Sequence, residues 1–211
     1  MESPFPEPVP AGTRLIETFF WSPESGAPRL TAHLVRMASS AVAFGFPFDA
    51  AKARPMLAGL GDGPLRCRLT LGAAGDLELT TAPLPPVAPG PWRVAIHPTR
   101  LRTGDPWLAH KTTHRALYDS ARAALPAGGD EWLFLNDRDE LCEGTITNLL
   151  VHVDGQRITP PLSSGLLPGV RRAEWIAAGA VEAPVTQAML AAATMLTLGN
   201  SLRGDIPAGL L

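Results

Sequence analysis

Leu108-Ala109-His110-Lys111-Thr112-Thr113-His114-Arg115-Ala116-Leu117-Tyr118-Asp119-Ser120-Ala121-Arg122 is the stretch on which the reading of this sequence turns. Lys111 stands where the apolar pair Trp107-Leu108 gives way to a helical pattern, with Ala116, Leu117 and Ala121 spaced as one helical face. Thr112 or Thr113 can cap that helix. A lysine at a strand-to-helix junction, held against apolar neighbours, is partly desolvated. Desolvation lowers an amine's pKa and makes it usable as a nucleophile and a base. Taken alone, Lys111 reads as an ordinary solvated surface lysine. The rest of the chain changes that reading.

Four further segments stand around it: His33-Leu34-Val35-Arg36, Glu143-Gly144-Thr145-Ile146-Thr147-Asn148, Gly165-Leu166-Leu167-Pro168-Gly169-Val170-Arg171-Arg172, and Asn200-Ser201-Leu202-Arg203-Gly204. With the lysine stretch they resemble, in the same order, the motifs of the class IV aminotransferases. These are the fold-type-IV pyridoxal-phosphate enzymes, which include branched-chain and D-amino-acid aminotransferases and aminodeoxychorismate lyase. The resemblance is closest to the lyase branch, above all to the lyase-like half of bifunctional aminobenzoate synthases, where an HKTT-R-Y pattern also occurs. It implies an α/β (α+β) fold of two subdomains, a small N-terminal α/β domain over 1–90 and a larger barrel-like domain over 91–211 carrying Lys111. Family members usually have an earlier strand and a glycine-bearing turn before the segment that matches Glu17-Thr18-Phe19, and this sequence lacks them.

The resemblance also implies a set of roles. Lys111 would be the catalytic lysine that bonds pyridoxal 5'-phosphate, and Glu143 the acid opposite the pyridine nitrogen. Arg36, the backbone N–H groups of Val170 and Arg171, and a hydroxyl near Ser201 or Thr197 would form the phosphate cup. A guanidinium suits that cup because it can donate two hydrogen bonds to one phosphate, and a helix N-terminus suits it because its N–H groups are exposed. Leu167 would pack on the ring face, and Asn148 completes the Glu143 motif. Each has a plainer reading as a surface arginine, a hairpin glutamate or a glycine turn before a helix. Branched-chain transaminases usually carry a tyrosine five residues after the lysine. Here that position is Ala116, preceded by Arg115 as in the lyase branch. Tyr118, the only tyrosine, could face the site or the core. The resemblance therefore implies a lyase, with an amino-acid transaminase or a non-catalytic relative as alternatives, and a homodimer.

Composition excludes other classes. The chain has 211 residues, 45% hydrophobic and 18% charged, which describes a globular protein with a core. A net charge of −2 gives no basic surface for nucleic acid. No apolar run spans a bilayer, and the proline-rich Met1–Pro10 segment is not a signal peptide. Cys67 and Cys142 form no disulfide framework and no metal-ligand spacing, and read as buried thiols in a reducing cytoplasm.

Periodicity predicts the elements. Residues 1–12 should be a poorly ordered lead-in. Strands are expected over Arg14–Trp21, Leu65–Leu71, Leu77–Thr80, Arg93–His97, Glu131–Asn136, Ile146–Val153, Arg157–Thr159 and Met195–Leu198. Helices are expected at about 31–44 and 49–60, after Lys111, from Val170, and over Val185–Ala193 opened by Thr186. Pro83 to Pro91, with five prolines, reads as the linker between domains. Arg100 and Arg102 could contact a carboxylated substrate or lie in a solvated loop.

Overall fold

Leu15, Phe19 and Trp21 turn one face of the first strand into a core, and a later hairpin of two strands pairs beside it. The computed structural model describes residue 5, residues 7–86 and residues 90–211. It divides into two compact units, one of residues 1–86 with 110–114, the other of 87–109 with 115–211.

In the first unit, β1 (Leu15–Trp21), β2 (Leu65–Leu71) and β3 (Leu77–Pro83) form an antiparallel sheet in that order. Helix α1 (Leu30–Phe44) lays Leu30, Leu34, Met37 and Ala41 on it, with Cys67, Leu69 and Leu71 beneath. These are the i, i+4, i+7, i+11 positions of one face. Gly45 ends the helix in the left-handed region, at φ 69°. The helix expected at 49–60 is shorter. Asp49 caps α2 (Ala50–Ala53) by accepting the Ala51 N–H, but Pro55 has no N–H to continue the ladder, and the chain goes on as a 3-10 turn over Pro55–Leu57. The lead-in also departs from expectation. Phe5 is buried, its ring 4.3 Å from that of Phe44. The linker expected at Pro83–Pro91 lies in part, at 87–89, outside the described residues.

Residues His110–His114 pack with this first unit, whereas the sequence placed Lys111 in the larger domain. Backbone pairing is the reason. The Ile16 N–H donates to the Lys111 carbonyl at 2.7 Å, Thr113 donates to the Arg14 carbonyl at 2.9 Å, and Thr112 bridges Leu15. The side chain of His110 meets Ser40 Oγ at 2.9 Å and the edge of Phe44. Neither threonine caps the helix that follows. Thr112 accepts the His114 N–H and Thr113 accepts the Arg14 N–H, and α3 (Ala116–Ala123) starts at Arg115 without a side-chain cap.

The second unit is built on an eight-stranded sheet curled as a half-barrel. Its strands are β4 (Trp92–Leu101), β5 (Glu131–Asn136), β6 (Leu141–Gly144), β7 (Asn148–Val153), β8 (Gln156–Thr159), β9 (Val181–Glu182), β10 (Met195–Asn200) and β11 (Gly204–Leu210). They lie in the order β6-β5-β4-β11-β10-β7-β8-β9. Val94, Leu133, Leu135, Leu149, Val151 and Leu198 are wholly buried in its core. Asp154 and Gly155, both at positive φ, make the tight turn between β7 and β8. Helices α4 (Val170–Ala177) and α5 (Gln187–Ala192) belong to this unit, and Thr186 caps α5 by accepting the Met189 N–H. The mixed α/β architecture expected from the sequence is the one the chain adopts.

Candidate active site

The first unit holds two of the candidate residues, Arg36 and Lys111. Arg36 and His33, three apart on α1, both face Glu17 of β1. Arg36 donates from Nε to Glu17 Oε1 at 2.8 Å and from Nη2 to Oε2 at 2.5 Å, and His33 Nδ1 meets Oε2 at 2.5 Å. Glu17 is 1% exposed and His33 fully buried. Burial pushes the Glu17 carboxyl up, but the Arg36 charge and the bonds from His33 and Arg36 outweigh it and hold it below the ordinary value. His33 Nε2 is buried with no hydrogen-bond partner among the described residues. The sequence identified His33 and Arg36 but read Glu17 only as part of a strand.

The second unit joins three motifs through hydrogen bonds. Glu143, on β6 and 7% exposed, accepts the Tyr118 hydroxyl on Oε1 at 2.8 Å and the Leu167 N–H on Oε2 at 3.1 Å. Asn148, at the start of β7, donates from Nδ2 to the Leu167 carbonyl at 3.1 Å. The Leu167 peptide is thus held from both sides, and the loop it belongs to runs directly into α4. Gly169 precedes that helix and contributes no side-chain cap. A Cβ there would meet Asn148 Oδ1 at 1.8 Å, so glycine lets the loop close on Asn148. Asn200 donates to the Ile146 carbonyl at 3.2 Å and accepts the N–H groups of Leu202 and Arg203, fixing the turn that carries buried Ser201.

Val170 is buried in the first turn of α4. Arg171 points its guanidinium at Asp205 of β11, with bonds of 2.8 and 2.7 Å, and at Glu174. The sequence counted both by their backbone N–H groups, and for Arg171 the side chain is engaged elsewhere. Arg100, weighed as a substrate contact, pairs with Asp139 at the surface.

Two carboxylates of consequence escaped sequence reading. Glu131, fully buried at the start of β5, accepts the N–H groups of Thr145 at 3.1 Å and Ile146 at 3.2 Å, and the hydroxyls of Thr145 and Thr147. It therefore fixes the turn between Glu143 and Asn148. Glu17 does the same for Arg36. A glutamate opening an otherwise apolar strand, Glu131-Trp-Leu-Phe-Leu, was the available signal. Among the described residues no group of three His, Cys, Asp or Glu side chains could hold a metal, and no helix is long and apolar enough to cross a membrane.

The family model for amino-transferase class IV matches residues 14–209. The chain belongs to the class IV aminotransferase family. Members of this family are pyridoxal-phosphate enzymes. One solved structure, from Mesorhizobium loti and described as a "Putative amino-acid aminotransferase", is 40% identical to this chain. It aligns over 94% of this chain and 100% of its own, with a TM-score of 0.87. The 4-amino-4-deoxychorismate lyase of Pseudomonas aeruginosa is 28% identical over 94% of this chain and 83% of its own, with a TM-score of 0.79. A Schizosaccharomyces pombe protein named "Putative aminodeoxychorismate lyase" is 29% identical over 159 residues, 72% of this chain and 69% of that protein.

Proposed function

We propose that this class IV protein is a pyridoxal-phosphate-dependent aminodeoxychorismate lyase, converting 4-amino-4-deoxychorismate to 4-aminobenzoate and pyruvate. The observation that carries the choice is Arg115-Ala116. The position where branched-chain transaminases carry a tyrosine is here an exposed alanine opening α3. It brings only a methyl group, so it cannot supply the phenol that such transaminases aim at the ring oxygen. The names of the P. aeruginosa and S. pombe relatives agree with this reading.

The donor set of the second unit fits the cofactor. A pyridine N–H needs a fixed anionic acceptor, and Glu143 is a carboxylate held by two donors. A phosphate needs converging N–H groups, and the same loop, through Leu167, leads to the uncapped start of α4. When bound, pyridoxal phosphate supplies an electron sink for bond breaking at the substrate carbon that carries the amine. Lys111 holds the cofactor and moves a proton at its Nζ. Glu143 accepts the ring N–H, and Asn148 holds the Leu167 peptide so that the leucine presents its side chain to the ring. The N–H groups of Val170 and Arg171, the Arg36 guanidinium and the Ser201 hydroxyl bind the phosphate. We also propose a homodimer, on the family resemblance, which sedimentation would report as twice 22.3 kDa.

A second reading, an amino-acid transaminase, is favoured by the name of the M. loti relative. Incubation with 4-amino-4-deoxychorismate, followed by assay for pyruvate and 4-aminobenzoate, tests the first. Incubation with branched-chain and D-amino acids, followed in the visible spectrum for conversion of the cofactor to its amine form, tests the second. Pyruvate release without that conversion supports the lyase. Conversion without pyruvate release overturns it.

A further inference from the structure

We propose that Tyr118 is a positioning residue that fixes the Glu143 carboxylate and lowers its basicity. The phenol oxygen donates to Glu143 Oε1 at 2.8 Å, and the partner atom, Oε2, accepts a backbone N–H. Both donors favour the ionised carboxylate over the acid. The phenol keeps its proton, because burial and then the neighbouring Glu143 charge push its own ionisation far upward. It acts on Glu143 as a neutral donor.

Tyr118 is itself held from two sides. Its ring stands edge-on to Phe134 of β5, with centroids 5.3 Å apart. On another side the guanidinium of Arg115, the residue before α3, lies 5.8 Å from the ring centroid. Arg115 is in turn fixed by Asp119 at 2.7 Å and by the Thr145 carbonyl at 3.2 Å. The other titratable neighbour on the strand, Cys142, stays a thiol, since burial and then the Glu143 and Glu140 charges push it up to about 12. Tyr118 thus brings to Glu143 a neutral phenol backed by a cation on its ring, beside the backbone donor from Leu167.

The consequence for chemistry rests on the proposed cofactor reading. A carboxylate of lowered basicity leaves the shared proton on the ring nitrogen, where it strengthens the electron sink. Losing the phenol would draw that proton toward Glu143 and weaken the sink.

Two variants move Glu143 in opposite directions. Tyr118→Phe keeps the ring and removes the donor. Because Tyr118 is the chain's only tyrosine, growth on 3-fluorotyrosine replaces it alone and makes the phenol a stronger donor without any mutation. The first readout is the Glu143 carboxyl titration in cofactor-free protein labelled with carbon-13 at glutamate Cδ, its resonance assigned with Glu143→Gln. Tyr118→Phe should raise the midpoint by about one pH unit, and 3-fluorotyrosine should lower it. The second readout is the loaded protein. For Tyr118→Phe we expect the pH midpoint of the visible band to move and kcat to fall about tenfold with KM within about twofold. If neither variant moves the carboxyl titration, the proposal is overturned, and the fluorotyrosine arm decides this even if Tyr118→Phe fails to fold. If the titration moves but the protein takes up no pyridoxal phosphate, Tyr118 keeps its place and the cofactor reading falls.

Discussion

Glu17 shows how much a single buried carboxylate decides in this protein. Its charge is tolerated only because Arg36 and His33 meet it. Arg36→Ala would leave that charge with the imidazole alone, so we expect cofactor-free protein to lose about 3 kcal/mol of stability. We also expect pyridoxal phosphate to bind about thirtyfold more weakly, which corresponds to about 2 kcal/mol for a lost charge-assisted contact. Denaturant melts read the first and cofactor titration the second. Reduced stability with unchanged affinity would leave Arg36 to the fold and remove it from the cup. Glu140 gives a pH test away from the site. Arg138's hydrogen bond first, then those from Asn136 and Ser164, outweigh the opposing effect of burial and hold its carboxyl at about 2. A carboxyl pKa lowered in the folded state contributes stability above the unfolded value and loses it as pH falls through the folded one. The melting temperature of Glu140→Gln should therefore lie below wild type at pH 7, and the gap should close between about pH 4.5 and 2. A gap that persists at pH 2 would show that the bonds, and not the charge, matter.

Helix α4 and strand β10 meet with almost no room between them. A Cβ on Gly199 would lie 2.4 Å from Trp175 Cζ2 and 3.2 Å from the Gly204 carbonyl. Trp175 cannot easily yield, because its Nε1 donates to Asp205, which also holds Arg171. Gly199→Ala should push α4 off the sheet, lower stability by about 1–3 kcal/mol and weaken cofactor binding through the displaced helix start. A melting temperature and an affinity both equal to wild type would mean that the helix adjusts without cost. Elements of this kind were legible in the sequence to the extent that they advertise a period. The apolar face of α1 and the strand pairs Leu65–Leu71 with Leu77–Thr80 and Ile146–Val153 with Arg157–Thr159 read directly. Strand β11 did not. Gly204-Asp-Ile-Pro-Ala-Gly-Leu has no clean alternation, and its place in the sheet comes from a hairpin with β10 on one side and parallel pairing with the distant β4 on the other. The same holds in the candidate site. Local motifs named Glu143, Asn148 and Leu167, and the structure joins them by hydrogen bonds. The bonds from Tyr118 to Glu143 and from the 145–147 turn to Glu131 span 25 and 14 to 16 residues, and no local pattern reports them.

Taken whole, the chain divides into two compact units, and one short segment bears on function. Residues 110–114 leave the second unit's run of sequence and add to the first unit's sheet beside β1. The backbone of Lys111 is thereby fixed by a sheet, through its carbonyl on Ile16, and not by the helix that follows it. A residue held in this way suits a role that needs its side chain to move while its Cα stays still, as a lysine that holds a cofactor and shuttles a proton must do. The composition makes this claim unusually easy to test, since Lys111 and Lys52 are the only lysines. Lys52 lies in the four-residue helix α2 and is exposed. The decisive measurement is to load the protein with pyridoxal phosphate, reduce it with borohydride, digest it and locate the added mass by peptide sequencing in a mass spectrometer. The account predicts one pyridoxyl group per chain, on the peptide that contains Lys111, and none from Lys111→Ala. A label on Lys52, or no label at all, would contradict it.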